Sequence, residues 1–449
     1  MSDMKILFVS LGCDKNLVDS EVMLGMLAEQ GYSFTEDEEQ ADIVVVNTCC
    51  FINDAKEESI QSILEMAERK KTGKLKHLIV TGCLAQRYRE EIQEEIPEVD
   101  AILGTTAIDK IADVIKELTG GTHHNYFEDI NAPCSPKQAK RVVTTGGYYA
   151  YLKIAEGCDK HCTYCIIPKV RGNYRSVPME RLLKEASELA ESGVKELILV
   201  AQETTLYGVD LYGKKSLPEL LHRLCEIPEL EWIRILYCYP EEITDELIQT
   251  IKSEDKVCNY LDIPIQHGSD AVLRRMGRKT SQQELKEMIA KLRSEIPDIC
   301  LRTTLITGFP GETEEDYEEL YRFVNEMEFD RLGVFTYSQE EDTPAAAMED
   351  QIPEEVKEQR RGELMELQQA IAFEKAESAV GRTMTAMIEG RIVEDGVCIA
   401  RTYMDAPNVD GYVFIDTDRD LMSGTFVKVK ITGSNEYDLI GEMCDESAE

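Results

Sequence analysis

The stretch EGCDKHCTYCIIP places Cys158, Cys162 and Cys165 at CxxxCxxC spacing in a polar, tight-turning segment. Thiolates spaced this way can hold three corners of a cubane iron-sulfur cluster, and the fourth iron is then left without a protein ligand. An open metal position can bind a substrate or cofactor, whereas a structural site is closed by a fourth ligand. Zinc is the competing reading, with His161 inside the motif completing the set. Three further cysteines, Cys13, Cys49 and Cys83, each end a short β-rich apolar run: KILFVSLGC, ADIVVVNTCC and HLIVTGC. A parallel sheet would carry all three to one carboxyl edge, where they could hold a second cluster with a free iron. The bland alternative is a small buried residue at each strand end.

The elements around these residues predict an α/β chain in three parts. In the first, residues 1–140, apolar strands alternate with helical patterns over Leu17–Gln30 and Asp54–Lys71, the latter with Ile60, Ile63, Leu64 and Ala67 on one face. Continuous apolar strands of this kind imply a buried parallel sheet. Residues 120–147 lack periodicity and read as a connection. The second part, residues 141–378, has candidate strands near 149–155, 195–201, 232–237, 260–265, 300–306 and 332–337 with amphipathic helices between them. Six such units predict an open, partial (β/α)6 barrel. Parallel barrels place chemistry in loops after strand carboxyl ends, which is where the 158/162/165 cluster falls. A charged helix from Glu354 to Ala379 leads to the third part, residues 379–446, whose short strands and Gly-containing turns predict a small antiparallel β-barrel.

Composition restricts partners and compartment. At 449 residues with 43% apolar content the chain is folded and multi-domain. MSDMKILFVS has no basic stretch leading into an apolar core, and no apolar run is long enough to span a bilayer. A cytoplasmic protein without a membrane is therefore expected, its fourteen cysteines reduced. The formal net charge of −37 repels a nucleic-acid backbone and favours basic partners. Residues 380–446 hold six Lys or Arg against thirteen Asp or Glu, so the terminal barrel is poorly suited to phosphates.

CDKHCTYC followed by a βα barrel resembles the radical S-adenosylmethionine superfamily. SLGCDKNLVDSE, VVNTCCFI and TGCLAQRY, with the central motif and a terminal barrel, resemble its methylthiotransferase family over essentially the whole chain. LGCDKN, YLKIAEGCDKHCTYCIIP, AQETTLYG, RILYCYP and DAPNVDG resemble the branch that methylthiolates the β-carbon of an aspartate in small-subunit ribosomal protein twelve. The branch that modifies adenosine in transfer RNA usually has a different residue pair after the first cysteine and a more basic barrel. A non-catalytic iron-sulfur carrier is the third class, although carriers normally close every cluster corner.

The resemblance implies two 4Fe-4S clusters and S-adenosylmethionine. Cys158, Cys162 and Cys165 would bind the radical cluster; Cys13, Cys49 and Cys83 would bind the auxiliary cluster of the N-terminal domain. Cys50 could exchange roles with Cys49. One S-adenosylmethionine would provide the methyl group and a second the 5′-deoxyadenosyl radical that removes the β-hydrogen of the aspartate. The last domain would be a TRAM domain. Tyr164 would lie near the adenine, Glu203 near the cofactor's amino group or ribose, and Thr307 and Gly308 where a glycine permits close backbone approach. Each of these four also reads as ordinary packing or a plain turn. Lys15 and Asn16 are candidates to bind sulfur or the substrate carboxylate, with Asp14 between them and Cys13 working against an anion. The implied partners are a basic ribosomal protein, free or within the subunit, a reductant protein and a sulfur donor. Acidic residues between 405 and 420 are expected to dock the substrate. Cys134, Cys225, Cys238, Cys258, Cys300, Cys398 and Cys444 read as fillers, and His123 and His124 as solvated. The family usually has alanine where this chain has Gly268.

Overall fold

The computed structural model describes residues 4–133, 140–393 and 396–444. Its first sheet contains β1 (Lys5–Ser10), β2 (Ser33–Phe34), β3 (Ile43–Thr48), β4 (His77–Gly82) and β5 (Ala101–Leu103), all parallel, in the order β2-β1-β3-β4-β5. Every residue of β3 is buried, Val44 and Val46 in one apolar cluster, Ile43 and Val45 in another, because the central strand is covered on both faces. The order reverses beside β1, and in doubly wound sheets ligands bind in the crevice outside the carboxyl ends at such a reversal. Helices α1 (Asp14–Glu29), α2 (Asn53–Thr72) and α3 (Cys83–Glu95) depart from those ends. The helix expected from Leu17 begins at Asp14, with Cys13 as its N-cap. The expected inner face of α2 is corrected. Ile63 and Ala67 are buried, but Ile60 and Leu64 are exposed, and Ser59 and Met66 turn inward instead. Ser59 takes an interior place because its hydroxyl serves the backbone of Cys49.

The second sheet is an open half-barrel of β6 (Tyr149–Lys153), β9 (Glu196–Val200), β10 (Trp232–Ile235), β11 (Val257–Asp262), β12 (Cys300–Thr307) and β13 (Arg331–Thr336), parallel throughout. The strand expected over 260–265 begins earlier and leaves the ladder after Asp262, two residues before Pro264, which cannot donate to a ladder. Leu197, Leu199, Ile233 and Ile235 face the covering helices. The opposite, concave face carries Tyr149, Tyr151, Ile198 and Val200, on which Leu17, Val18 and Val22 of α1 pack. Two short strands, β7 (Ala155–Glu156) and β8 (Arg175–Ser176), pair antiparallel and close the loop that contains the three central cysteines.

The last sheet closes into a barrel of β14 (Thr383–Ile392), β15 (Val397–Thr402), β16 (Val413–Asp416), β17 (Phe426–Asn435) and β18 (Asp438–Met443). All pairs are antiparallel except β16 with β18. The helix Glu354–Ser378 links the two barrels, with Leu364 and Ile371 in the core of the first and Ala376 in that of the second.

The expected docking role of residues 405–420 is corrected at two of its acids. Asp405 pairs with Arg331 at 2.6 Å, and Asp410 accepts from the Tyr260 hydroxyl at 2.7 Å. Both carboxylates are buried against the concave face, and of that segment's acids only Asp416, Asp418 and Asp420 are exposed. Arg401 joins the same contact through Glu196 at 2.7 Å, and Glu196 also holds Arg234 at 2.8 Å. Among the described residues no helix is long and apolar enough to cross a membrane.

Candidate active site

Because β1, β3 and β4 are adjacent and in register, Cys13, Cys49 and Cys83 emerge side by side. Cys13 caps α1 and Cys83 opens α3, so both stand at helix N-termini. Two glycines make the convergence possible. At Gly12 (φ 84°) a β-carbon would meet Cys49 Sγ at 2.8 Å, and at Gly82 (φ 93°) it would meet Thr48 O at 2.4 Å. Burial pushes the Cys49 thiol up to about 12, with repulsion from Cys83 and Cys13 adding to it. Burial raises Cys83 as well, against the pull of Arg171. Cys50 is buried in the apolar cluster with Leu84 and Ala85, and burial raises its thiol, with repulsion from Cys83 and Cys49 adding to it.

In the second set, Cys158 and Cys162 are buried and Cys165 is half-buried. The loop is pinned by Cys158 N–H to Gly172 O at 3.1 Å and Thr163 N–H to Met276 O at 2.9 Å. Burial raises the Cys158 thiol to about 12 and lifts Cys165, with Cys162 adding repulsion to both. His161 is exposed at φ 51°. Among the described residues no three His, Cys, Asp or Glu side chains gather as ligands of a single metal ion. A cubane takes each thiolate at a different iron, so its ligands surround a volume instead of a point; within each set the thiols are close enough to repel one another. Metal ligation requires thiolates, so iron bound at Cys49, Cys83, Cys158 and Cys165 would have to offset the burial that raises these thiols.

Two connections tie the sets together. Arg171, fully buried after the central loop, donates from Nε to Cys83 Sγ at 3.3 Å and from a terminal nitrogen to Asp19 at 2.7 Å. It also contacts Asn16 and, at 3.2 Å, Glu156, and Lys153 bridges Asp19 and Glu156. Burial opposes the charge on Glu156, yet Arg171 and Lys153 bring its carboxyl down to about 2. The second connection is the segment after β10: Tyr237 covers Lys15 beside Cys13, while the Tyr239 hydroxyl lies 3.1 Å from Cys162 Sγ. Arg278 stacks on Tyr239 at 4.1 Å. Sequence reasoning did not single out Arg171, Arg278 or the two tyrosines; an arginine in the apolar run IIPKVRG was the available signal.

Glu203 is fully buried, with Oε1 accepting from Thr205 N–H at 2.7 Å and Oε2 lacking a partner. Burial pushes its carboxyl up to about 7, although Thr205 and Lys160 pull the other way. Tyr164 meets Phe309 edge-on at 6.4 Å, which brings it near Thr307 and Gly308. The close approach that Gly308 allows is to Lys357, whose Cγ would lie 2.1 Å from an added β-carbon. Its N–H donates to Glu312 at 2.8 Å, and the Thr307 hydroxyl donates to Lys357 O at 3.2 Å. Asn16 is likewise engaged, donating to Leu11 O and Thr48 O at 3.0 and 2.9 Å.

The remaining cysteines play no part in either set. Cys238, Cys258, Cys300 and Cys398 are buried, Cys225 and Cys444 half-buried, and Cys134 lies outside the described residues. His123 and His124 are exposed.

Comparisons agree with this architecture. Residues 5–104 match "Uncharacterized protein family UPF0004", residues 152–324 the radical SAM superfamily, and residues 380–444 the TRAM domain. A solved radical S-adenosylmethionine methyltransferase, TsrM of Kitasatospora setae, with cobalamin and a 4Fe-4S cluster bound, shares the fold at a TM-score of 0.53. The match has 14% identity and covers 77% of each chain. The ribosomal protein uS12 methylthiotransferase RimO of Clostridioides difficile is 52% identical, covering 99% of this chain and 100% of its own. That of Lachnoclostridium phytofermentans is 68% identical over 98% of this chain and 99% of its own. The chain belongs to the RimO family of radical SAM methylthiotransferases.

Proposed function

We propose that this chain adds a methylthio group to the β-carbon of an aspartate in ribosomal protein uS12. The observation that carries the reading is that the chain just after the central three-cysteine loop reaches the N-terminal set, where Arg171 donates to Cys83. Cys158, Cys162 and Cys165 hold the radical cluster, and Cys13, Cys49 and Cys83 the auxiliary one, each with one iron open. When bound, two 4Fe-4S clusters and S-adenosylmethionine supply a hydrogen-abstracting radical and a transferable methylthio sulfur. The chain's own part is to hold these groups apart at a fixed separation and to exclude water. The free oxygen of Glu203 is an acceptor for the cofactor's amino group. Tyr164, Thr307 and Gly308 complete the cofactor wall, Tyr164 resting on Phe309 and the other two fixed by Lys357 and Glu312.

Residues 1–140, 141–378 and 379–446 act as the three units, a division supported by one main sheet falling within each. The net charge of −37 suits a basic ribosomal protein, free or in the assembling subunit, better than a transfer RNA. A reductant protein and a sulfur donor in the cytoplasm complete the cycle. The deciding experiment incubates the anaerobically reconstituted protein with S-adenosylmethionine, reductant, sulfide, uS12 and bulk transfer RNA together. Mass spectrometry showing a methylthio group on an aspartate supports the reading. The group on an adenosine replaces it with the transfer RNA reading, and no S-adenosylmethionine cleavage at all leaves an electron carrier.

A further inference from the structure

Lys15 stands two residues after Cys13 and is buried. Its ammonium lies 3.2 Å from the centre of the Tyr237 ring and 3.1 Å from Asp14 Oδ1. The Tyr237 hydroxyl donates to the same oxygen at 3.2 Å. Two donors thus converge on one carboxylate oxygen, while the other, Asp14 Oδ2, is buried without a partner in a side chain only 9% exposed. A carboxylate served at one oxygen is a poor permanent occupant, because an unmatched buried acceptor carries its full desolvation cost.

Tyr237 is held at φ 59°, a left-handed conformation that a β-carbon disfavours. Such strain persists where the surroundings fix a side chain in place. Here it lays the ring over Lys15 while Tyr239, two residues on, reaches Cys162. The Lys15–Tyr237 pair therefore lies between the start of the N-terminal cysteine set and the loop of the central one.

We propose that Lys15 and Tyr237 form the subsite for the side-chain carboxylate of the aspartate to be modified, with Asp14 filling it in the substrate-free protein. The inference rests on the protein-substrate reading above and gives Asp14, an anion beside an anionic substrate, a reason to be there. A carboxylate fixed by the ammonium and the phenol leaves the adjacent β-carbon facing the space between the two sets. Asn16 takes no part, since its amide is held by Leu11, Thr48 and Arg171.

The test measures binding of uS12 to the reconstituted full-length protein by fluorescence anisotropy, beside a uS12 whose target aspartate is asparagine. Wild-type protein should bind the asparagine form roughly tenfold or more weakly. Lys15→Met should bind both forms alike, because removing either partner of a pair removes the same coupling. Asp14→Asn should bind uS12 more tightly, an effect opposite in sign to structural damage. Equal discrimination by Lys15→Met and wild type, or weaker binding by Asp14→Asn, overturns the proposal. Iron content is measured on each variant, and if Lys15→Met loses iron the direction of the Asp14→Asn change decides. Failure of wild-type protein to modify any aspartate of uS12 brings down the underlying reading. Modification by a wild type that binds the asparagine form equally well brings down only this inference.

Discussion

Arg171 and Cys83, 88 residues apart in sequence, are joined by a 3.3 Å hydrogen bond from guanidinium to sulfur. The arginine follows the central cysteine loop and the sulfur opens a helix of the N-terminal sheet, so one side chain ties the chain after the central loop to the N-terminal set. Its charge is matched by Asp19 and Glu156, with Lys153 as their second cation.

Replacing Arg171 by leucine leaves two buried carboxylates sharing one lysine, which should cost about 3–5 kcal/mol of stability. Arg171→Lys keeps the charge but not the planar fork and should lose less. In the cluster-loaded protein the leucine variant should also show a lower auxiliary-cluster potential, because a donor to a ligand sulfur favours the reduced cluster. Urea unfolding and a redox titration followed by electron paramagnetic resonance read the two effects. An unshifted urea midpoint and potential would mean that the guanidinium is idle.

Gly12 offers a way to count the clusters. Alanine there would be strained at φ 84°, with its β-carbon 2.6 Å from that of Cys49. The central set lies on other elements and should be spared. Iron should fall from about eight to about four per chain in Gly12→Ala, with S-adenosylmethionine cleavage retained. Full iron content in this variant would contradict the placement of Cys49 in a second site.

Much of this site can be read from the sequence, because cysteines that follow strands inherit their positions from the sheet. Cys13, Cys49 and Cys83 needed only three parallel strands to be neighbours. Arg171, Tyr237 and Tyr239 were not legible in the same way, since each acquires its role from a partner in a distant segment. The missed face of α2 has a local cause. An apolar count favours Ile60 and Leu64, whereas the backbone of Cys49 draws Ser59 inward. Gly268 departs from the family's alanine, and a β-carbon there would meet Phe323 Cβ at 3.0 Å, so the glycine suits the packing of this chain.

Glu203 should leave a pH signature in the cluster-free protein. Its carboxyl is raised by burial from 4.5 to about 7, so the folded state holds the proton after the unfolded state has lost it. Below pH 4.5 both states are protonated and there is no penalty; as pH rises from 4.5 to 7 stability falls. Above 7 the full cost applies, about 3 kcal/mol. Glu203→Gln should therefore be more stable than wild type above pH 7, with the difference vanishing toward pH 4.5. Parallel urea curves for the two proteins across that window would show that Glu203 keeps an ordinary carboxyl.

The terminal barrel gives the last prediction, a contrast between acids close in sequence. Asp405 is tied to Arg331 and accepts from Thr402 N–H at 3.2 Å, and Asp410 lies against Arg302 and Tyr260. Asp405→Ala would leave Arg331 with only the longer contact to Asp410 in a buried junction between the barrels, which should cost about 3 kcal/mol. Reversing the exposed Asp416, Asp418 and Asp420 to lysine breaks no buried pair and should change stability by about 0.5 kcal/mol or less at each position. Those three remain the acids of the segment able to meet a basic partner, so their reversal should weaken uS12 binding in a salt-sensitive way. Calorimetry and binding at two salt concentrations separate the roles: Asp405→Ala should lower the melting temperature, and the triple reversal should lower affinity. If the triple reversal leaves affinity unchanged, the charge of this barrel is not what attracts the ribosomal protein.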